Sequence, residues 1–360
     1  MLTQVSFRNY KCLRDVTIDL EPFTVFVGAN GSGKTSVLQA MDLLCRTFQN
    51  ESRELESEYQ DNHSHLVEIP NPLPLTSKEE QQYILDAEVE LSCLADDVWY
   101  RYRTLPPHFY QQSMETGTLP VSVGKYYAEK SDAINWKPWQ GADGRLPYSR
   151  RLRLDPNVMQ QPATFNEEYP WKMSSNGEGL HSLSSSMSLE SPDRWQKLQM
   201  DVRQIIPSIR RLRHTPWREL IFDTINGHSL KTNQVSEGTL LIVGLLAIIH
   251  SLDMPKLLLL DDLDRALHPK AQRELIELLR GVQTTNPEIQ IIATTHSPYM
   301  LDCMKPEEVR MTSLKEDGST ACDALTHHPK FEKWKDEFAP GEMWSFFGEK
   351  WVAEGKVMAK

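Results

Sequence analysis

The chain has 360 residues, a formal net charge of −11 and 25% charged residues. This length suits one large domain, or one domain with a substantial insertion. The acidic balance disfavours binding of the whole surface to DNA or to an anionic membrane, although it is compatible with a local basic groove.

The cysteines are odd in number, scattered and without a CxxC pair: Cys12, Cys45, Cys93, Cys303 and Cys322. This usage predicts free thiols in a reducing compartment and argues against a zinc site. The first residues lack a charged region followed by an apolar core, and apolar runs such as residues 240–249 are too short to span a membrane. We therefore expect a soluble, cytoplasmic protein.

The N-terminal residues predict two strands, at 2–7 and 16–20, and then a buried strand at 24–27. The loop Gly28-Ala29-Asn30-Gly31-Ser32-Gly33-Lys34-Thr35 follows and fits the phosphate-binding pattern G-x-x-x-x-G-K-[ST]. Residues 36–44 then carry apolar side chains at helical spacing. A glycine-rich turn without a ligand rarely has this strand, this helix and Lys-Thr together, so the stretch predicts an ATP or GTP site.

The residues of this loop have separate predicted tasks. Its glycines let successive backbone N–H groups point at phosphates, and the helix N-terminus adds partial positive charge. Lys34 is expected to reach the β- and γ-phosphates, and the Thr35 hydroxyl to ligate Mg²⁺. The loop residues expected to bind the nucleotide are Asn30, Gly31, Gly33, Lys34, Thr35 and Ser36.

The middle of the chain predicts a mostly β insertion. A proline-rich linker at 69–74 cannot continue a helix, and residues 81–104 alternate as in an antiparallel hairpin. Short strand-like pieces follow at 121–154, whereas residues 155–192 show little periodicity and predict a long mobile loop. Ser191 as N-cap and Pro192 at the first helical position then predict the start of a helix.

Regular structure predominates again after this helix. Residues 209–213 and 219–222 predict strands, and Asn226-Gly227 is a strong hairpin signal. Strands and helices then alternate, which predicts a parallel sheet.

An apolar strand at 257–260 ends in Asp261 and Asp262. The carboxyl end of a buried strand is where an α/β sheet places ligand chemistry. Asp261 suits holding Mg²⁺, and Asp262 suits orienting or deprotonating the attacking water. An acidic turn after a core strand would explain this pair equally well by itself, and the phosphate loop decides for the catalytic interpretation.

Two further motifs extend the predicted site. A buried strand at 289–294 precedes His296, which can hydrogen-bond a γ-phosphate and respond to its loss. Ser236 caps an apolar helix, and Gly238 permits close approach of a phosphate. Because the chain's own loop already has a helix N-terminus for its nucleotide, we expect Ser236 and Gly238 to serve the nucleotide of a second subunit.

Together these motifs resemble the ABC-type ATPase heads of the RecF/SMC and OLD-like class. The matching segments are an N-terminal strand and turn (7–13), Walker A (27–35), a shortened signature motif (236–239), Walker B with the D-loop (259–269) and the switch histidine motif (294–298). In the N-terminal turn of that class basic residues approach the nucleotide, which implies this role for Lys11.

The resemblance implies an α/β fold, namely a P-loop NTPase with an ABC-type head and an inserted, mostly β lobe. The head combines a mixed N-terminal β-subdomain with a parallel sheet flanked by helices. The expected segments are the N-terminal part of the core (1–48), the inserted lobe with a connecting helix (49–204), the C-terminal part of the core (205–325) and an aromatic helical cap (326–360).

The resemblance further implies that two heads sandwich two ATP molecules with Mg²⁺, each Walker A facing Ser236 of the other head. The implied catalytic residues are Lys34, Asp262 and His296. Position 262 is usually Glu in this class and is one methylene shorter here. Since a misplacement of about 1 Å can cost on the order of 100-fold in rate, we predict slow turnover, suited to a switch. No glutamine stands out as the residue that completes the Mg²⁺ shell.

The leading hypothesis is a dimeric, ATP-dependent switch that acts on a separate effector protein. Stand-alone ATPases of this class resemble components of bacterial anti-phage and other genome-defence systems, and no effector motif follows Leu314. The alternative is a RecF-like, DNA-binding repair or recombination ATPase, and a transporter ATPase subunit is a weaker third option. The basic cluster expected to serve DNA binding is Arg210, Arg211, Arg213 and Arg218.

Overall fold

In the computed structural model, the described residues are 1–54, 90–95, 98–104, 124–130, 146–162 and 173–354. The strands in these ranges are β1 (Leu2–Tyr10), β2 (Leu13–Asp19), β3 (Phe23–Gly28), β4 (Glu90–Ala95), β5 (Val98–Thr104), β6 (Gly124–Lys130), β7 (Ser149–Leu152), β8 (Ile209–His214), β9 (Leu220–Thr224), β10 (Ser229–Lys231), β11 (Leu257–Leu260), β12 (Gln290–Thr294), β13 (Val309–Leu314) and β14 (Thr320–Ala324). The α-helices are α1 (Lys34–Glu54), α2 (Pro156–Met159), α3 (Leu180–Glu190), α4 (Pro192–Ile205), α5 (Glu237–Ile249), α6 (Pro269–Thr285), α7 (Pro298–Leu301), α8 (Phe331–Trp334), α9 (Pro340–Phe347) and α10 (Lys350–Glu354).

The central sheet has the strand order β14-β13-β3-β12-β11-β7 within the described residues. All neighbours in it are parallel except β13 and β14. Every residue of β3, β11 and β12 is buried, as expected for parallel strands that are covered on both faces. The predicted α/β fold with a parallel sheet is confirmed.

Alternating side chains of the central strands enter two separate cores. Phe26, Leu259 and Ile292 pack with α1, β1 and β2 on one face. The residues that alternate with these along each strand, such as Val25 and Leu258, pack with α3 to α6 on the opposite face. Helix α1, which begins in the predicted phosphate loop, is therefore fixed between the central sheet and the N-terminal strands.

Within the described ranges, two antiparallel sheets accompany the central one. The first has the order β2-β1-β4-β5-β6, and the second has the order β10-β9-β8. The predicted hairpin at 81–104 is present as β4 and β5, although residues 81–89 and its turn at 96–97 lie outside the described residues. Strand β4 pairs with β1, so this part of the predicted insertion continues the N-terminal sheet.

The prediction of a long loop at 155–192 is wrong for the described part of that range. It contains α2 and α3, and α3 buries three consecutive serines, Ser184 to Ser186. The Ser184 hydroxyl donates to the carbonyl of His181 at 3.2 Å. A serine that bonds a carbonyl one turn earlier satisfies its hydroxyl inside a helix. Ser184 can therefore lie in a buried helix beside the apolar Leu180, Leu183 and Met187.

Two other expectations about residues 121–192 need correction. Strand β7 pairs in parallel with β11 in the central sheet, although it lies in the range expected for the inserted lobe. Pro192 does occupy the first turn of α4, but the Ser191 side chain makes no capping hydrogen bond.

The C-terminal segment packs on the core through aromatic side chains. The partly buried aromatic residues that contact the main core are Trp334, Phe338, Trp344, Phe347 and Trp351. Phe346 is by contrast 73% exposed. None of the helices described here combines the length and the hydropathy of a membrane span.

Candidate nucleotide-binding site

The site forms at the carboxyl edge of the central sheet. Strands β3, β7, β11 and β12 run parallel, so their carboxyl ends meet at one edge, where α/β proteins bind ligands. The phosphate loop follows β3, Asp261 and Asp262 follow β11, and His296 comes two residues after β12. The structure therefore brings the predicted loop, carboxylates and histidine together.

Strands β13 and β14 enforce glycine at two loop positions. A Cβ on Gly28 would lie 2.1 Å from the carbonyl oxygen of Thr312, and one on Gly33 would lie 2.2 Å from Oγ1 of Thr320. Gly33 also has φ +98°, a left-handed conformation that favours glycine. The Ser32 and Thr312 hydroxyls hydrogen-bond at 2.6 Å, so β13 further fixes the loop.

Lys34 lies inside the loop, where its side chain is largely buried. Its Nζ donates to the carbonyl oxygens of Gly28 at 2.9 Å and Ala29 at 2.8 Å. Burial lowers the pKa of Lys34, while the nearby carboxylates of Asp262 and Glu349 oppose this shift. The loop thus places a cationic group where the pattern predicts bound phosphates.

Asp261 carries the features of a magnesium ligand. Its Oδ1 accepts hydrogen bonds from the hydroxyls of Thr35 and Thr294, both at 2.9 Å. Among the described residues its Oδ2 is buried without a hydrogen-bond partner, and Arg151 Nη1 lies 3.7 Å from it. A buried carboxylate oxygen requires compensation, and carboxylate and hydroxyl oxygens are ligands that Mg²⁺ accepts. Asp261 and Thr35 therefore fit this ion.

Asp262 stands in a strained conformation next to three functional groups. Its φ is +57°, and its N–H donates to Thr294 Oγ1 at 2.8 Å. Its carboxylate lies 4.0 Å from Nε2 of His296 and 3.6 Å from Nη2 of Arg153. Asp enters this left-handed region more readily than longer side chains such as Glu, which gives a local reason for the shorter acid.

His296 is held by a carboxylate that the sequence interpretation missed. Asp264 Oδ1 accepts the His296 N–H at 3.0 Å and the Thr295 hydroxyl at 2.7 Å. The His296 side chain itself remains 37% exposed. The sequence feature that could have identified Asp264 is its position as a further acid two residues after Asp262 in the same loop.

Lys11 lies in the N-terminal turn and has φ +53°. Its Nζ donates to Oε1 of Gln39 on α1, and burial followed by the charge of Arg151 lowers the pKa of Lys11. The Ser36 hydroxyl lies 3.5 Å from Sγ of Cys12 in the same turn. Asn30 and Gly31 are exposed at the loop tip.

The signature residues form a separate surface feature. Ser236 is exposed and caps α5 by accepting the Thr239 N–H at 3.2 Å. A Cβ on Gly238 would lie 2.6 Å from the carbonyl oxygen of Ala266, so packing within one chain already requires glycine there. In the described part of the chain, Ser236 makes no hydrogen bond or ion pair to the phosphate loop.

Besides Asp264, the structure adds three charged residues that the sequence interpretation did not select. Arg151 and Arg153 lie next to Asp261 and Asp262, and the alternating Ser-Arg-Arg-Leu-Arg of 149–153 was the available signal. Glu349 accepts the Ala29 N–H at 3.1 Å and the Trp344 Nε1–H at 3.0 Å. No local pattern indicated Glu349, since its partner loop is about 320 residues away in the chain.

Two protein families match different parts of the chain. Residues 1–94 match the family described as "AAA ATPase domain". Residues 187–302 match the family described as "AAA domain, putative AbiEii toxin, Type IV TA system". The two matches contain the phosphate loop and the Asp261–His296 region, respectively.

The similar curated proteins fall into several groups. The DNA replication and repair protein RecF of Acinetobacter baylyi is 26% identical over 77% of this chain and 88% of its own length. The Retron Vc95 probable ATPase of Vibrio cholerae is 21% identical over 86% of this chain and 73% of its own length. The OLD nuclease of Thermus scotoductus is 46% identical over 44 residues, which are 12% of this chain and 8% of its own length.

A solved SMC head bound to the C-terminal winged-helix domain of ScpA has a similar fold. It superposes with a TM-score of 0.52 at 14% identity, covering 92% of this chain and 99% of the SMC head. This similarity shows the fold, and the phosphate loop, the carboxylates after β11 and the sequence matches indicate the class of the protein. The chain contains an ABC-type ATPase head of the RecF/SMC/OLD class.

Proposed function

We propose that the protein binds ATP with Mg²⁺ and hydrolyses it slowly, as a dimeric switch. The observation that carries this proposal is the convergence of Lys34, Thr35, Asp261, Asp262 and His296 at one sheet edge. A phosphate loop by itself would support binding, whereas a carboxylate and a histidine beside it supply groups for hydrolysis.

The residues divide the work of hydrolysis between them. Lys34 and the loop N–H groups hold the phosphates, while Thr35 and Asp261 would hold Mg²⁺. Bound Mg²⁺ would neutralise charge on the phosphate oxygens. Asp262 orients the attacking water and accepts its proton, and His296 donates a hydrogen bond toward the γ-phosphate.

The proposed site is completed by a second copy of the chain. Ser236 is exposed at the N-terminus of a 13-residue helix, where backbone N–H groups favour an anion. Among the described residues, Ser236 makes no hydrogen bond to the phosphate loop of its own chain. This supports a role for Ser236 at the nucleotide of a partner chain. Hydrolysis would remove the γ-phosphate from this junction and separate the two heads.

We further propose that this switch controls a separate effector in bacterial anti-phage defence. The similarity to the Retron Vc95 probable ATPase, which extends over 86% of the chain, supports this role. The Septu protein PtuA of Bacillus thuringiensis adds support, with 40% identity over 66 residues. The exposed Phe346 at the C-terminal segment offers a contact for such an effector.

Phosphate release from ATP by the purified chain tests the proposal. We expect slow, Mg²⁺-dependent hydrolysis. Lys34→Ala should abolish it together with ATP binding, whereas Asp262→Asn should retain ATP binding and slow hydrolysis strongly. Wild-type rates in Asp262→Asn would remove Asp262 from the reaction. Absence of hydrolysis by the wild type, with ATP bound and Mg²⁺ present, would contradict the enzymatic part of the proposal.

The second candidate function is DNA binding, which the similarity to RecF supports. Arg210 and Arg211 are exposed on β8, whereas Arg213 donates to Asp223 at 3.0 Å and is already paired. Charge reversal at Arg210 and Arg211 therefore tests this surface without breaking an internal ion pair. ATP-dependent duplex binding that weakens with salt and is lost in Arg210→Glu/Arg211→Glu would favour this function.

A further inference from the structure

Strand β7 directs arginines into the proposed ATP site. It pairs in parallel with β11, with Leu152 opposite Leu260, and the Asp261 N–H donates to the Leu152 carbonyl at 2.9 Å. Arg153 is therefore the first residue after β7, just as Asp261 is the first residue after β11, and the two strand ends lie side by side. The strand ends beside the carboxylates of the site.

Side-chain alternation aims one face of β7 at the phosphate loop and its helix. Ser149 donates to Asp42 of α1 at 3.2 Å, and Arg151 lies 3.7 Å from Asp261. Arg153, the next residue of this series, lies 3.6 Å from Asp262. Arg150 has the opposite parity. Burial lowers the pKa of Arg150, and the charges of Tyr148 and Asp253, which are outside the site, oppose this shift.

The contact between Arg153 and Asp262 is loose. At 3.6 Å it is an ion pair without a hydrogen bond, and the Arg153 side chain is 56% exposed. In the described residues the Arg153 guanidinium makes no hydrogen bond, although it has five N–H donors. It is thus free to move to a stronger acceptor that arrives in the site.

We propose that Arg153 is a catalytic residue that leaves Asp262 for the γ-phosphate when ATP binds. A guanidinium matches phosphate oxygens in a bidentate manner, and the γ-phosphate carries more charge than one carboxylate. Its departure frees the Asp262 carboxylate to accept the proton of water. ADP has no γ-phosphate, so Arg153 stays with Asp262 and the two nucleotides are distinguished. This inference rests on the proposed ATP site.

Nucleotide binding by the full chain tests the role of Arg153 independently of hydrolysis. In Arg153→Met, the affinity for a non-hydrolysable ATP analogue with Mg²⁺ falls about 10- to 100-fold, the effect of one lost charge-assisted hydrogen bond. The affinity for ADP changes by less than about 2-fold, because that nucleotide makes no such bond. Arg153→Lys keeps the charge but not the bidentate geometry, and gives an intermediate loss for the analogue.

Arg273→Met is the matched control, since it removes an exposed arginine from α6 and should leave both affinities unchanged. An equal loss for the analogue and ADP in Arg153→Met, or no loss for either, overturns the proposal. If the wild type hydrolyses ATP but Arg153→Met keeps the wild-type ratio of affinities for the analogue and ADP, the role of Arg153 is refuted and the proposed function is not. If the wild type does not hydrolyse ATP, but Arg153→Met loses the discrimination between the analogue and ADP, the proposed hydrolysis and the catalytic part of the role of Arg153 are refuted. Its recognition of the γ-phosphate is then supported.

Discussion

Replacement of Asp262 by glutamate tests the predicted slow turnover. The carboxylate of Asp262 lies 4.0 Å from His296 and 3.6 Å from Arg153, so it reaches into the site with one methylene fewer than the usual acid of this class. Asp262→Glu extends the carboxylate by roughly 1 Å. Because such a displacement can change a rate on the order of 100-fold, we expect faster hydrolysis per site, by up to about 100-fold.

The same substitution has an opposite effect on stability. Residue 262 has φ +57°, and this conformation costs about 1–2 kcal/mol for an ordinary L-residue. Asp tolerates it better than Glu does, so Asp262→Glu should lower the melting temperature while it raises the rate. Asp262→Asn keeps the backbone preference and removes the base, which should slow hydrolysis about 100- to 10,000-fold without loss of stability.

The assay measures phosphate release in a single preparation of each variant. Rates are divided by the number of sites that bind ATP, so that unfolded protein does not lower the apparent turnover. A rate for Asp262→Glu that is equal to or below that of the wild type refutes the explanation from side-chain length.

Three other predictions follow from contacts near the site and in the core. Gly33→Ala places a Cβ 2.2 Å from Oγ1 of Thr320 at φ +98°, so we expect loss of ATP binding and a lower melting temperature; normal binding would contradict the described loop. Glu349→Gln removes a carboxylate beside Lys34 and should raise ATP affinity in a binding titration, whereas unchanged affinity would show that Glu349 does not oppose the phosphates. Burial lowers the pKa of His214 from 6.5 to about 4, so the unfolded chain takes up a proton near pH 6.5 that the folded chain refuses. The contribution of neutral His214 to the free energy of unfolding is therefore full above pH 6.5 and declines toward pH 4, by about 2 kcal/mol between pH 8 and pH 5. Urea unfolding of the wild type and of His214→Gln at both pH values measures this decline, and an equal decline in the two proteins would refute the assignment to His214.

The phosphate loop and the acidic strand end were predictable because their signals are local. The glycines and Lys34 of the loop, the apolar run before Asp261 and the strand before His296 each lie within about ten residues. Parallel strands then bring these segments to one edge whatever the chain between them does. The fold class followed from the same motifs.

Other parts of the site depend on contacts between distant segments. Arg153 reaches Asp262 only because β7 becomes the neighbour of β11. No sequence pattern between residues 104 and 146 predicts this pairing. The contact of Glu349 with the loop likewise depends on how the C-terminal helices pack. Helix α3 does carry apolar residues at helical spacing, Leu180, Leu183 and Met187, but serines fill most of the positions between them and mask this signal. Ser184 tolerates burial because its hydroxyl bonds the carbonyl of His181 within the helix.

Self-association of Asp262→Asn with ATP and Mg²⁺ tests most directly that two chains complete one site. We predict that sedimentation velocity detects a dimer with ATP and a monomer with ADP. Ser236→Arg in the same background should still bind ATP but remain monomeric, because the substitution blocks the surface that faces the partner's nucleotide. ATP-bound Asp262→Asn that stays monomeric, or a dimer that forms equally without nucleotide, would contradict the two-chain site.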